Sequence, residues 1–412
     1  MFSVAHYAQT NYYIIDTTGI NISQLDDNDK ELLDSILPLA NNATHDSILI
    51  KYIGFLAESC WDETLWPRYN QMLIEIADRN LSKEYNKTFV SYKASAISNV
   101  GFLFDSQGKS VLAIENYKAS LKLFDQIGDR DEMSSPLNNL GKAYHSIGDV
   151  EKALSYWLQA LQIREELGQE EKTIVVNNNI ATVYQEQNED SISEVYYRKA
   201  LNSSLKFNNK HIQALTHNQI GKLFFRKQEY DSAHVYYNIS YQLRKEIGFK
   251  QGMAESLQSI GQLFNATDNE EKAFSAYDLS LQILEGTTHT EGIIGSKIGL
   301  ATIYLKKGEA HKAMILSESA FKAAQKIGFP SLIKSTSELL TDVYTNVGMF
   351  EKALSMNQLN ILMRDSLVNL DNQKSIYKQQ VDFNFEKKEQ ELIIEEEKRK
   401  IVAQQEEEKK NM

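Results

Sequence analysis

Residues 136–161 read PLNNLGKAYHSIGDVEKALSYWLQAL. Leu137, Leu140, Gly141 and Tyr144 follow the i, i+3, i+4, i+7 spacing of one stripe on a helix. Gly148-Asp149 interrupts the pattern: glycine takes positive φ, and aspartate caps the next helix. A second stripe comes next, with Ala153, Leu154, Trp157, Ala160 and Leu161, and Gly168 closes it. The stretch predicts two amphipathic helices, over about 136–146 and 150–167, the first capped by Ser135.

Working outward, the pair recurs every forty residues. Val100, Leu140, Ile180, Ile220, Ile260, Leu300 and Leu340 anchor seven copies without an insertion. A small residue follows each anchor: Gly101, Gly141, Ala181, Gly221, Gly261, Ala301 and Thr341. An aromatic stands four positions on, and Ala or Ser thirteen positions on. A further aromatic column, Tyr117, Trp157, Tyr197, Tyr237 and Tyr277, is expected to wedge between units and lapses at Ser317 and Asn357. Gly128, Gly168, Asn208, Gly248 and Gly328 form a C-cap column of residues that tolerate the left-handed conformation. Thr288 breaks that column, so the loop 286–289 is expected to differ in shape. A strict period of this length means stacked helix pairs, an architecture that usually binds partners.

The pattern resembles the tetratricopeptide repeat. Leu140, Gly141, Tyr144, Ala153, Trp157 and Ala160 match it within one unit. The resemblance covers about 93–365 and implies an all-α, right-handed superhelix, or α-solenoid. Seven forty-residue repeats would follow a divergent N-terminal one. Two features depart from the pattern: the closing proline is absent except near Pro330, and the period is forty rather than thirty-four.

The flanks are less regular. Residues 1–24 are expected to be mobile, and Phe2 to Gln9 resemble the end of a secretory signal without its basic and apolar regions. Residues 25–92 read as a capping helix (29–37) and a divergent repeat carrying Leu56-Ala57-x-x-Cys60. After the array at 93–366, the segment 367–412 turns strongly charged. From Glu386 to Lys410, nine acidic and seven basic residues flank a weak heptad at Val381, Phe385, Leu392, Ile394 and Ile401. One long helix over about 356–410 is expected, as a coiled coil that dimerises or as a solvated single helix. The order of these segments also resembles the sensor half of Bacteroidetes membrane signalling proteins. In that family a transmembrane helix and a histidine kinase, nucleotide cyclase or DNA-binding output come after the coiled coil.

Composition excludes several functions. A net charge of −12 argues against nucleic acid or an anionic membrane as the main ligand, and suits a basic or neutral peptide better. Cys60 is the only cysteine, so no intrachain disulfide forms. No apolar run reaches the ~20 residues of a membrane span. No nucleotide-binding, nucleophile-elbow or zinc-protease motif is present. His211 and His217 stand six apart, on different sides of a helix. No catalytic residue, metal ligand or cofactor is expected.

The remaining signal is polar. The two positions before each anchor hold Ser98-Asn99, Asn138-Asn139, Asn178-Asn179, Asn218-Gln219 and Gln258-Ser259, then lose this character. Asparagine is a poor mid-helix residue, so its recurrence needs a cause. In the resembled family these helices line the inner wall. One reading makes Asn99, Asn138, Asn139, Asn178, Asn179 and Asn218 hydrogen-bonding partners of an extended peptide, with Lys142, Lys222 and Arg226 attracting acidic groups. The other has the asparagines tie neighbouring helices together. The sequence therefore points to a non-catalytic interaction module that serves signalling. The alternatives are the input half of a membrane-bound kinase or cyclase, and a cytosolic peptide-sensing regulator. Its location depends on the N-terminus: periplasmic or envelope-associated if the signal remnant is real, otherwise cytoplasmic.

Overall fold

The computed structural model describes residues 25–60, 62 and 65–367. Expectations for 1–24, and for the helix and dimer beyond 367, lie outside the described residues. Among the described residues the only regular structure is helical. The chain packs as two compact units that divide between Leu167 and Gly168.

Unit one contains α1 (Asp27–Asn41), α2 (Asp46–Ser59), α3 (Trp66–Leu81), α4 (Lys87–Ser106), α5 (Ser110–Ile127), α6 (Arg130–Ser146) and α7 (Val150–Glu166). The capping helix is longer than 29–37 because Asp26 accepts the Asp29 N–H at 2.7 Å and starts it earlier. Cys60 closes α2 and is fully buried, which pushes its thiol up to about 11 and keeps it protonated.

α6 departs from its expected start. It begins at Arg130, capped by Asp129, and not at Pro136 behind Ser135. Pro136 lies buried in the second turn, where it forgoes one helical hydrogen bond yet packs as a small apolar residue. α7 begins as expected, with Asp149 accepting the Lys152 N–H at 3.2 Å.

Unit two contains α8 (Glu170–Glu186), α9 (Asp190–Lys206), α10 (Lys210–Arg226), α11 (Tyr230–Glu246), α12 (Lys250–Ala266), α13 (Glu270–Leu284), α14 (Thr290–Lys306), α15 (Ala310–Ile327) and α16 (Pro330–Asn346). Residues 350–367 are helical after it, so this helix starts ahead of 356. Even-numbered helices from α2 onward carry the anchors and are called A. Their odd-numbered partners are B.

In both units each A helix touches the next A helix, while B helices meet their own A helix and the following one. Crowded A helices and spread B helices put the A layer on the inner side of each unit's bend. The aromatic column makes the joint. A β-carbon on Gly221 would lie 2.6 Å from the Tyr237 ring, and one on Gly261 would lie 2.7 Å from Tyr277. Tyr237 belongs to the same buried cluster as Ile260, the next anchor. Each ring thus fills the gap between its own A helix and the following unit. Burial of this kind contributes roughly 1.5–3 kcal/mol per side chain. Close approach on the other side rests on small hydroxyls: Ser240 donates to the Ala214 carbonyl at 2.7 Å and lies 3.0 Å from Ser256.

The C-cap column takes positive φ at Gly128, Gly168, Asn208, Gly248 and Gly328. At the break α13 ends early, at Leu284, and Gly286 supplies the left-handed residue instead (φ 75). Thr287 donates its hydroxyl to the Leu284 carbonyl at 2.7 Å, and His289 leads into α14.

Candidate functional site

The polar columns lie on the A helices, and the structure separates their members. In unit one, Asn99 on α4 donates to Asn70 of α3 at 2.8 Å, and Asn70 is fully buried. Asn138 and Asn139 are half-buried on α6, and the Asn138 carbonyl accepts the Trp157 indole N–H at 3.0 Å. Lys142 pairs with Asp105 of α4 at 3.1 Å and lies over the Phe102 ring at 5.8 Å.

Unit two repeats the theme. Asn178 is buried, donates to the Ile174 carbonyl at 3.2 Å and accepts the Thr216 hydroxyl at 3.0 Å. That bond ties α8 to α10. Asn218 is fully buried, and its amide donates to Glu255 of α12 at 3.2 Å while its oxygen has no hydrogen-bond partner. Lys222 also meets Glu255, at 3.5 Å. Arg226 donates to the Gln185 carbonyl at 3.0 Å and pairs with Asp190. Three of the asparagines therefore bridge helices, and all three cations already hold carboxylates from neighbouring repeats.

Solvent meets a different set of side chains. Asn179 and Gln219 are half-buried, and the Gln219 side chain turns inward: its oxygen is buried without a hydrogen-bond partner and its amide meets the Tyr197 hydroxyl. Five positions before the anchors, Val175 on α8 is 47% exposed and Leu215 on α10 is 36% exposed. Sequence reasoning missed this column. It continues as Glu255, Gly295 and Ser335, a change of character that the forty-residue period itself carries. Two exposed aliphatics beside amides form a face suited to an extended chain with apolar side chains.

Two further polar groups interrupt an apolar column. Three positions before the anchors stand Ile97, Leu137 and Leu257, but also Asn177 and His217. His217 lies 5.6 Å from the Tyr236 ring, and its Nδ1 has no partner. Burial holds its imidazole below the ordinary value of 6.5. A depressed folded value means that this contribution is complete above pH 6.5 and is lost as pH falls. We expect His217→Leu to raise stability by about 1 kcal/mol at pH 7, since an unpaired buried polar atom is removed. The variant's urea midpoint should fall less between about pH 6.5 and 5 than that of the unsubstituted protein. Parallel pH profiles would contradict this assignment.

Among the described residues no three His, Cys, Asp or Glu side chains gather as metal ligands, and no helix is long and apolar enough to cross a membrane. The tetratricopeptide repeat model matches residues 92–166 and 132–206. No curated protein sequence is significantly similar. The apo quorum sensor NprR from B. thuringiensis superposes with a TM-score of 0.61 at 17% identity, over 82% of this chain and 97% of its own. A Rap protein complexed with Competence and Sporulation Factor gives 0.53 at 15% identity, over 83% and 93%. The STAND protein PH0952 from Pyrococcus horikoshii, which carries a tetratricopeptide repeat sensor, gives 0.62 at 14% identity, over 84% and 54%. These likenesses establish the fold. Repeating helix pairs, four of them with an aromatic ring seated on a glycine, and the family match over residues 92–206 show that this chain carries tetratricopeptide repeats.

Proposed function

We propose that the chain is a non-catalytic interaction module whose A-helix face in unit two binds an extended peptide segment, in a signalling role. The observation that carries this reading is the exposed pair Val175 and Leu215 beside Asn179 and Gln219. Apolar side chains there lose water on binding, which favours an extended chain that presents apolar side chains of its own. The net charge of −12 disfavours acidic ligands, and Lys222 and Arg226, already paired, offer no free positive charge to offset it. Solved relatives of the fold include Rap proteins in complex with Competence and Sporulation Factor and with the Phr* peptide. Those complexes belong to those proteins, and they make peptide sensing the natural class to test.

The test is an array of random-sequence dodecapeptides probed with the full chain. Peptides that bind are expected to weaken at least tenfold, about 1.4 kcal/mol, with Val175→Ser/Leu215→Ser. These half-exposed substitutions should leave the melting temperature nearly unchanged. Equal affinity for the substituted and unsubstituted chains would sink the reading.

A further inference from the structure

The −5 column that carries the apolar pair ends in a void. Val175 and Leu215 project from α8 and α10, whereas α12 and α14 present Glu255 and Gly295. A hollow of about 480 Å³ opens at the N-terminal halves of α12 and α14. Phe249 and Leu332 supply apolar wall, and Gln251, Glu255, Gln258, His289 and Glu291 supply the polar lining, with Gly252, Gly292 and Gly295 between them. A β-carbon on Gly295 would lie 2.8 Å from the Gln258 side-chain oxygen, so that amide covers the glycine.

The two carboxylates differ. Glu255 already receives Arg244 at 2.9 Å and Lys222 at 3.5 Å. Glu291 is exposed and makes no ion pair or hydrogen bond among the described residues. An apolar wall beside an exposed carboxylate that holds no ion pair suits a side chain with a hydrocarbon stem and a cationic head. A short side chain would leave the slot empty, and an acidic one would face two carboxylates. An aliphatic one would leave Glu291 unanswered.

We propose that this hollow receives a long basic side chain, arginine or lysine, from the peptide bound along the A face. The inference rests on the peptide-binding reading above and adds a side-chain requirement. Relative to the Val175 and Leu215 contacts, the basic residue is displaced toward the α14 end of unit two.

The test uses fluorescein-labelled amides of Gly-Leu-Ala-Ala-X-Ala-Gly, with X as arginine, lysine, citrulline or norleucine, and anisotropy with the full chain at low salt. Arginine and lysine peptides should bind at least tenfold tighter than the citrulline and norleucine peptides. Glu291→Gln should cut that preference to about threefold or less. Gly295→Leu should abolish it by filling the slot. A side chain at 295 meets the Gln258 amide, which donates to the Gly292 carbonyl at 2.8 Å and to Ser296 at 3.0 Å, so the melting temperature is measured alongside and Glu291→Gln is the deciding variant. Equal binding of all four peptides, or a basic preference unchanged in both variants, overturns the proposal. If all four bind equally and Val175→Ser/Leu215→Ser weakens all, the A-face reading survives and the hollow alone is lost. No binding by any peptide overturns both.

Discussion

Gly141→Leu should destabilise the protein in its normal background and stabilise it when Trp157 is replaced by alanine. A β-carbon on Gly141 would stand 2.5 Å from the Trp157 indole nitrogen, closer than real side chains approach. That nitrogen also donates to the Asn138 carbonyl at 3.0 Å, which fixes the ring over the glycine. Overpacking at such a contact costs about 1–3 kcal/mol, and leucine's better helix propensity returns only about 0.8 kcal/mol. Trp157→Ala alone should cost about 3–5 kcal/mol, because an indole only 3% exposed is removed and a cavity is left. In that cavity the leucine side chain finds room, so the sign of Gly141→Leu reverses. Urea unfolding followed by circular dichroism of the four proteins completes the cycle. Additive effects would mean that Trp157 and Gly141 are not seated on each other.

This glycine–aromatic contact explains why the fold was legible from sequence. The anchor, the small residue after it and the aromatic seventeen positions after the anchor are local spacings, and each has one geometric solution. The C-cap column was readable for the same reason, since Gly128, Gly168, Gly248 and Gly328 all take positive φ. The start of α6 was not readable. Pro136 looks like a first-turn residue, yet the Asp129 cap precedes it by seven positions and the helix runs through the proline.

The site was harder, because asparagine at one sequence position serves two purposes. Asn178 and Asn218 turn inward to neighbouring helices, while Asn179, one residue on, is only half-buried. The choice depends on Thr216 and Glu255, each nearly forty residues away in the next repeat. The cations carry the same ambiguity, since a lysine on an A helix can face a ligand or a carboxylate of the neighbouring repeat. Asp105, Asp190 and Glu255 answer Lys142, Arg226 and Lys222 in turn. What the sequence did hold, unread, was the −5 column, whose progression from Val175 to Gly295 marks both the apolar face and the hollow.

Glu255 should matter more to stability than Arg244, although Arg244 is the buried partner. The Arg244 side chain is 3% exposed and that of Glu255 is 46% exposed. Arg244 donates to the Gly252 carbonyl at 2.8 Å, to Ser256 at 2.9 Å and to Glu255 at 2.9 Å. Burial pulls its guanidinium below the ordinary value, and Glu255 opposes that shift. The decisive quantity is what each deletion leaves behind. Glu255→Ala leaves a buried cation without its carboxylate, a change that costs about 3–5 kcal/mol for fully buried pairs. Water reaches the half-exposed Glu255 position, so about 2–3 kcal/mol is the expected loss here. Arg244→Met instead leaves a carboxylate in contact with solvent, Lys222 and Asn218. The flexible methionine chain refills the stem space, and Ser256 keeps its contact with Ser240 at 3.0 Å. That variant should lose about 1 kcal/mol or less. Once Arg244 is methionine, Glu255→Ala should cost little more, since no buried charge remains to be stranded. Thermal and urea unfolding of the three variants decides the order, and added salt should change it little because the guanidinium is shielded from solvent. An Arg244→Met loss larger than that of Glu255→Ala would mean that the bonds to Gly252 and Ser256 hold α11 to α12, and that the carboxylate only covers them.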